Sequence, residues 1–175
     1  MRRLLLLRHA KAERPHQSGR DRDRVLTQRG RDDAARAGAL LVRHGLVPDL
    51  VVVSPSARTR ETWDFAAAAF ADAPEPAFDD RIYEAEAQTL LEVIAETGPE
   101  VASLLLVGHN PGMQELAGLL IASGDLEARQ RLNENFPTSA LAVIDFALPD
   151  WSRLHPKSGR LDRFVDRHSL AAATD

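Results

Sequence analysis

Three short, uninterrupted apolar runs are the clearest feature of the hydropathy pattern. They cover Leu4–Leu7, Leu50–Val53 and Leu104–Val107. Because none of them alternates with polar residues, each is predicted to be a strand that is covered on both faces, as strands of a parallel or mixed sheet are. The pattern therefore predicts a sheet that lies between two layers of other elements.

Helical periodicity fills the stretches between and after these runs. In the first stretch Thr27 is a predicted N-cap, and Ala34, Ala37 and Leu41 then recur on one face. The polar segment 125–137 is predicted to be a short helix or a loop. The predicted helices cover 28–44, 57–70, 87–96 and the segment after Pro111-Gly112.

The C-terminal third adds further strands. Ala140–Phe146 is predicted to be a strand, and Trp151–Leu154 and Leu161–Val165 are predicted to flank a hairpin turn at 155–159. We expect one domain over residues 1–175, with about ten C-terminal residues as a loose tail. Strands that alternate with helices predict an α/β fold, a three-layer α/β/α sandwich with a mostly parallel, mixed central sheet.

Composition places the chain among ordinary globular proteins. Of its 175 residues, 44% are hydrophobic and 27% are charged, and the net charge is −4. There is no overall basic field to attract nucleic acid or an acidic membrane. The lack of cysteine excludes disulfides, thiolate metal sites and thiol catalysis. The four leucines of the first run are too few for a signal peptide or a membrane span, so we expect a cytoplasmic protein without membrane or nucleic-acid partners.

Residues that suit phosphate chemistry follow each of the three runs. Arg8 and His9 follow the first, Arg58 lies shortly after the second, and His109 follows the third. Because the carboxyl ends of neighbouring parallel strands open onto one crevice, these four side chains are predicted to converge there. Two arginines can grip a tetrahedral dianion, and a neutral imidazole is a competent nucleophile towards phosphorus. A metal site is disfavoured, because the arginines would repel a cation.

Three motifs in this order, LLLLRHA, SPSARTRETW and VGHNPG, resemble the histidine phosphatase superfamily, also called phosphoglycerate mutase-like. Two further stretches, DRDRVLTQRG and FPTSALAVIDF, resemble its short bacterial branch, the SixA-type phosphohistidine phosphatases. The resemblance extends from residue 3 to about residue 165. An Arg-His pair alone would be weak evidence, whereas three motifs at three strand ends are specific.

This resemblance implies a phosphoglycerate mutase-like fold, no cofactor and a role for each pocket residue. It makes His9 the nucleophile that forms a phosphohistidine intermediate. Arg8, Arg58 and His109 become the other members of a phosphate pocket. Ser54 and Thr62 match family positions that shape the turn and the helix carrying Arg58, and Asn110 and Gly112 belong to a loop that passes close to the ligand.

The proton donor and the cover of the pocket are where the chain departs from larger family members. The stretch FDDRIYEAE lies where those members place an acidic residue, and both Asp80 and Glu84 are candidates. Larger members also carry a long insertion that covers the substrate. Here only residues 71–86 connect the two helices, so we expect an open pocket.

A run of alternating charge, Arg20 to Arg24, has two interpretations. The first is a solvated loop whose arginines pair with Asp21 and Asp23. The second places one of its arginines at the rim of the pocket, in contact with substrate. The other histidines (His16, His44, His155 and His168) are interpreted as surface or loop residues.

The function predicted from these observations is a metal-independent phosphatase that acts through a phosphohistidine intermediate, with a protein phosphohistidine as substrate. One alternative is a phosphatase of a small phosphorylated metabolite. Another is a module that binds phosphate or a phosphoprotein without turnover. Intact Arg8, His9, Arg58 and His109 favour the enzyme, since a binding module has no need of a nucleophile.

Overall fold

The first apolar run forms a central strand of the fold. In the computed structural model, which describes residues 1–15 and 19–173, this strand, β1, is one of seven in a single sheet. The strands are β1 (Arg2–Arg8), β2 (Leu50–Val53), β3 (Pro76–Phe78), β4 (Ser103–Gly108), β5 (Ile121–Gly124), β6 (Leu141–Phe146) and β7 (Gly159–Val165).

The sheet is mixed and mostly parallel, as predicted. Its order is β3-β2-β4-β1-β6-β7-β5. β1, β2, β3 and β4 pair in parallel with one another, and β5 pairs in parallel with β7. Within the described residues only β6 runs in the opposite direction, because it pairs antiparallel with both β1 and β7.

Helices cover both faces of the sheet, which confirms the predicted α/β/α sandwich. One face packs against α1, α2 and α6, and the other against α3, α4 and α5. The helices are α1 (Gln28–Arg43), α2 (Ala57–Ala67), α3 (Ala87–Ala95), α4 (Gly112–Leu120), α5 (Leu126–Glu134) and α6 (Arg167–Ala173). None of the helices in the described ranges has the length and apolar character that a membrane span requires.

The two covered faces explain why the leucines of β1 do not alternate with polar residues. Leu4 and Leu6 pack in the core under α3, α4 and α5, whereas Leu5 and Leu7 pack in the core under α1 and α2. All four are at most 1% exposed. Full burial of a leucine is worth about 1.5–3 kcal/mol, so both faces of the strand stabilise the sheet.

The segment after β6 differs from its prediction. Trp151–Leu154 is not a strand, because Trp151–Arg153 forms a short 3-10 helix. The Trp151 ring is buried and its Nε1 donates a hydrogen bond to the carbonyl of Val101 at 2.7 Å. The apolar residues at 151–154 therefore belong to a buried 3-10 helix and not to a strand. Residues 155–159 form the last part of the connection between the antiparallel strands β6 and β7.

The expected C-terminal tail is wrong for residues 167–173, which form α6. Leu170 is buried, and Nε of Arg167 lies 2.9 Å from Oδ2 of Asp33. Asp33 is itself buried in α1, so this ion pair fixes the last helix to the first. Residues 174 and 175 lie outside the described residues.

Candidate active site

The four residues predicted to converge lie together at the carboxyl ends of β1, β2 and β4. Arg8 ends β1 and pairs in register with Gly108, which ends β4, so His9 and His109 emerge side by side. Their ring centroids are 5.5 Å apart. Arg58 lies in the first turn of α2, directly after β2, and its Nη2 is 3.3 Å from Nδ1 of His109. The sheet topology alone therefore assembles two imidazoles and two guanidinium groups.

His9 is held as a neutral imidazole with one free nitrogen. Its Nδ1 lies 2.8 Å from the carbonyl oxygen of Ala10. A carbonyl can only accept, so the proton is on Nδ1, and the lone pair is on Nε2. Burial, followed by the charges of Arg8 and Arg58, lowers the pKa of His9 from 6.5 to about 4. At neutral pH the ring has the form that attacks phosphorus.

Thr62 couples this histidine to the helix that carries Arg58. Its Oγ1 accepts a hydrogen bond from the backbone N of Ala10 at 3.0 Å and donates to the carbonyl of Arg58 at 2.7 Å. The residue is fully buried. The loop after β1 and the first turn of α2 are thus joined through one hydroxyl, which agrees with the structural role expected for Thr62.

The turn between β2 and α2 is built from hydroxyl side chains. Ser56 caps α2, since its Oγ accepts from the backbone N of Thr59 at 3.4 Å. Thr59 in turn donates to the carbonyl of Ser54 at 2.6 Å. A capped start of this kind fixes the first turn of the helix, and with it the direction of Arg58.

His109 lies between a hydroxyl and the charged groups of the site. Its Nε2 is 2.7 Å from Oγ of Ser54, and its Nδ1 faces Arg58 and Oε1 of Glu84, the latter at 3.4 Å. Because a hydroxyl can donate or accept, Ser54 allows the ring proton on either nitrogen. Burial, then the charge of Arg58, lowers the pKa of His109 to about 3, so this ring is also neutral. Because Nη2 of Arg58 can only donate, its contact with Nδ1 places the ring proton on Nε2, towards Ser54. Once an anion takes up Nη2, the proton can lie on Nδ1 and be donated to that anion.

Arg58 is the most enclosed charge of the site. Only 1% of its side chain is exposed. Nη1 donates to the carbonyl of Asp21 at 2.9 Å, and Nη2 lies 3.1 Å from Oδ2 of Asp21 and 2.7 Å from Oε1 of Glu84. Two carboxylates therefore neutralise this guanidinium when no other anion is bound.

Arg8 contacts a different part of the chain. Its Nη1 donates to the carbonyl of Phe136 at 2.9 Å, and Asn110 donates to the same oxygen at the same distance. Burial and, less strongly, the charge of Arg58 lower the pKa of Arg8, while Glu84 raises it. The two arginines are therefore close enough to repel each other, which an anion between them would relieve.

Two buried donors point to that anion. Nε of Arg8 and Nε of Arg58 are buried and have no hydrogen-bond partner among the described residues. A buried donor without an acceptor is costly, and arginine Nε and Nη groups together match the oxygens of a phosphate. The arrangement can bind a tetrahedral oxyanion next to the free nitrogen of His9.

Of the two candidate proton donors, only Glu84 lies in the site. Asp80 has a side chain that is 89% exposed and lies 3.6 Å from Arg22. Glu84 contacts Arg58 and His109. Its backbone has φ of 51°, a left-handed conformation that costs energy for a residue other than glycine.

Gly112 allows the Glu84 segment to approach the site. A Cβ at this position would lie 2.0 Å from the carbonyl oxygen of Ala85, the residue after Glu84. The glycine at the start of α4 is therefore required by a close backbone contact. Gly112 was expected in a loop that passes close to the ligand, whereas the structure places it in the first turn of α4 with Ala85 as its close neighbour.

Two residues of the site were missed by the sequence analysis. Asp21, interpreted as part of a solvated loop, binds Arg58, and the hydroxyl of Tyr83 donates to Oδ2 of Asp21. The hydrogen bond from Tyr83 and, to a smaller extent, the charge of Arg58 lower the pKa of Asp21 to about 2. Burial acts in the opposite direction. The edge of Tyr83 also packs on His109 with ring centroids 5.3 Å apart. No signal in the sequence separates Asp21 from the neighbouring Asp23.

The interpretation of the remaining histidines is confirmed where it can be examined. His44, His155 and His168 are exposed. His16 lies outside the described residues.

Comparison with known proteins agrees with these motifs. Residues 4–103 match the model of the histidine phosphatase superfamily (branch 1). An uncharacterised protein of Mycobacterium tuberculosis is 36% identical over 160 residues, which cover 90% of this chain and 98% of that protein. A crystal structure of a candidate phosphohistidine phosphatase SixA from Agrobacterium tumefaciens is 34% identical, with a TM-score of 0.78, and the match covers 94% of this chain and 98% of that one.

A more distant match shares the fold alone. It is a phosphoserine phosphatase variant from Entamoeba histolytica, 14% identical with a TM-score of 0.64, and the match covers 97% of this chain and 100% of the other. The matched family model covers more than half of the chain and includes Arg8, His9 and Arg58. The chain belongs to the histidine phosphatase superfamily.

Proposed function

We propose that this phosphatase removes the phosphoryl group from phosphohistidine in proteins, through a covalent phosphohistidine on its own His9. The observation that carries the proposal is the state of His9. Its Nδ1 proton is held by the Ala10 carbonyl, and its lowered pKa leaves Nε2 unprotonated. A nucleophile of this kind beside two arginines has the parts that phosphoryl transfer needs.

In the first step Nε2 of His9 attacks the phosphorus of the bound substrate. A bond from Nε2 to phosphorus forms while the bond from phosphorus to the substrate nitrogen breaks. The leaving imidazole keeps the electron pair, and it is neutral if its ring was already protonated, so this step needs no strong acid. Arg8, Arg58 and the Nδ1 proton of His109 stabilise the charge on the other phosphoryl oxygens.

In the second step water attacks the phosphoryl group on His9. One proton of that water passes to the carboxylate of Glu84, which leaves Arg58 when the phosphoryl group binds there. The bond from phosphorus to Nε2 breaks, Nε2 regains its lone pair, and inorganic phosphate leaves. A positioned base contributes about 10²–10⁴-fold to such a step.

The short connection beside the site supports a protein substrate. The connection between α2 and α3 contains only the three-residue strand β3 and a 3-10 helix at Asp80–Ile82, with no covering domain. A phosphoryl group on the surface of another protein can therefore reach His9. The candidate SixA from Agrobacterium tumefaciens supports the same substrate class. The phosphoserine phosphatase that shares the fold keeps a small metabolite as the alternative.

The test compares purified protein on chemically phosphorylated histidine peptides, phosphoserine, sugar phosphates and nucleotides. We expect the highest kcat/KM on phosphohistidine, and an acid-labile, base-stable label on His9 during turnover. His9→Ala should abolish turnover, while His155→Ala, which changes an exposed histidine, should not. A label on Ser54, Ser56 or Asp80, or near-normal activity of His9→Ala, would refute the mechanism. A clear preference for a metabolite would refute the substrate class, and binding without turnover would favour the non-catalytic module.

The cytoplasmic location and the lack of a metal requirement stay predictions. Fixed guanidinium charge can stabilise the transferring phosphoryl group in the way that a metal ion does elsewhere. The phosphorylated partner is identified here only by its chemistry.

A further inference from the structure

A cleft lined by arginines adjoins the candidate active site. Its volume is about 350 Å³. We name it the arginine cleft, and its lining residues are Arg20, Arg22, Asp23, Pro55, Ala57 and Arg60.

Two residues that line the arginine cleft or interrupt its lining are chain neighbours of the phosphate pocket. Ala57 precedes Arg58 in the first turn of α2. Asp21, which lies between Arg20 and Arg22 in the sequence, holds Arg58 with both its carbonyl and its carboxylate. The cleft is therefore near enough to Arg58 for another part of a substrate bound there to reach it.

The charge of the cleft is positive and accessible. Its three arginines are exposed, and Asp23 is the one acidic residue in its lining. Arg22 also lies 3.6 Å from Asp80, outside the lining, so Arg20 and Arg60 carry the positive charge that is not paired with a carboxylate of the described residues. The backbone carbonyl of Arg20 accepts from the backbone N of Asp23 at 3.0 Å, but its side chain has no hydrogen bond or ion pair within residues 1–15 and 19–173. Arg60 donates Nε to the carbonyl of Pro55 at 2.8 Å and lies over the Phe78 ring at 3.9 Å, which fixes its direction without neutralising it.

A different cleft beside the site has the opposite charge. A second cleft of about 390 Å³ is lined by Glu84, Glu86 and Glu115, with no cationic residue in its lining. Glu84 adjoins Arg58 from this side. A second anionic group on the substrate is therefore attracted on one side of the phosphoryl group and repelled on the other.

We propose that the arginine cleft is a specificity subsite that binds a second acidic group of the substrate, a carboxylate or a phosphate, on one side of the transferred phosphoryl group. The inference rests on the proposed phosphatase function. It specifies which phosphorylated substrates the enzyme prefers. In a protein substrate the acidic group is an acidic side chain near the phosphohistidine. This subsite corresponds to the second interpretation of the Arg20–Arg24 run.

The experiment measures kcat/KM on three phosphohistidine peptides that differ only in flanking residues. One has alanine on both sides, one has glutamate on the N-terminal side, and one has glutamate on the C-terminal side. A parallel arm uses small phosphate monoesters with and without a carboxylate or a second phosphate. We expect one glutamate placement to raise kcat/KM about three- to tenfold over alanine and the other to lower it, with both effects weakened by salt.

The variant Arg20→Ala/Arg60→Ala should remove the preference and leave kcat/KM on the alanine peptide unchanged. Arg153→Ala, an exposed arginine in the 3-10 helix after β6, is the matched control and should keep the preference. Should the double variant fail to fold, Arg20→Glu alone gives the test, because the Arg20 side chain is exposed and has no hydrogen bond or ion pair among the described residues.

The outcomes separate this inference from the proposed function. Turnover of all three peptides at equal rates, or a preference that persists in the double variant, would overturn the subsite and leave the phosphatase. A charge preference confined to the monoesters would keep the subsite and overturn the protein substrate. If nothing is hydrolysed, calorimetry measures how tightly His9→Ala binds the alanine and glutamate peptides and the monoesters with and without a second acidic group. A higher affinity for the ligands with the second acidic group would support the subsite, and equal affinities would overturn it.

Discussion

The neutral histidines of the pocket should make the folded protein sensitive to mild acid. Burial is the main reason that the pKa of His9 falls from 6.5 to about 4. Between these two values the unfolded chain carries a proton on this residue and the folded chain does not. The unfolded state thus binds more protons, so the free energy of unfolding decreases as the pH falls from 6.5 towards 4.

The size of the effect follows from the two pKa values. A difference of about 2.5 between folded and unfolded pKa corresponds to about 3 kcal/mol, most of which is lost by pH 4.5. A domain is commonly stable by about 5–15 kcal/mol, so one residue accounts for a large share. His109, whose pKa falls to about 3 mainly through burial, acts in the same direction.

Urea unfolding at intervals from pH 7.5 to 4.5 measures this dependence. The free energy of unfolding of His9→Ala should fall by about 2–3 kcal/mol less than that of the wild type over this range. His155→Ala, which removes an exposed histidine, should keep the wild-type slope. Equal slopes for His9→Ala and wild type would refute the neutral, buried nucleophile, as would an equally flattened slope in His155→Ala.

Three further predictions concern the pocket itself. Activity should persist with a chelator present, and complete loss that a divalent cation restores would contradict the arginine pocket. Tungstate or vanadate should bind between Arg8 and Arg58 in a crystal structure, whereas specific binding elsewhere with this crevice empty would count against the site. Glu84→Gln should bind inorganic phosphate more tightly, because a competing carboxylate is gone. It should also accumulate phosphorylated His9 with kcat lowered about 10²-fold in quench-flow labelling, and an unchanged kcat would exclude Glu84 as the base.

The convergence of the site was predictable mainly from sheet topology. Parallel strands that end in Arg8 and Gly108 place His9 and His109 at one edge, and the short capped turn after Val53 brings Arg58 to the same edge. The predicted helices also agree with the structure to within a few residues, because each has a covered face or a capping residue. Thr27, for example, caps α1 by accepting a hydrogen bond from the backbone N of Gly30 at 3.0 Å.

What could not be predicted depends on loop conformation. The strands β3 and β5 are short and mostly exposed, so neither contains a continuous apolar run like the four residues that identified β2. Asp21 and Asp23 have the same sequence surroundings, and only the 3-10 turn at Asp21–Asp23 decides which of them faces Arg58. Glu84 rather than Asp80 enters the site because the backbone at Glu84 adopts a positive φ.

The carboxylates on Arg58 give the empty pocket a balanced charge, and this balance matters for turnover. Asp21 and Glu84 are each about half exposed, so either can move into water at low cost when a phosphoryl group arrives. Glu84 is the easier to displace, because its strained backbone offsets part of its bond to Arg58, whereas Asp21 is also held by Tyr83. When phosphate leaves, Glu84 can return to the guanidinium and compete with rebinding. Because Glu84 competes with every anion for Arg58, it shortens the retention of the phosphate product at the expense of weaker binding of the substrate phosphoryl group.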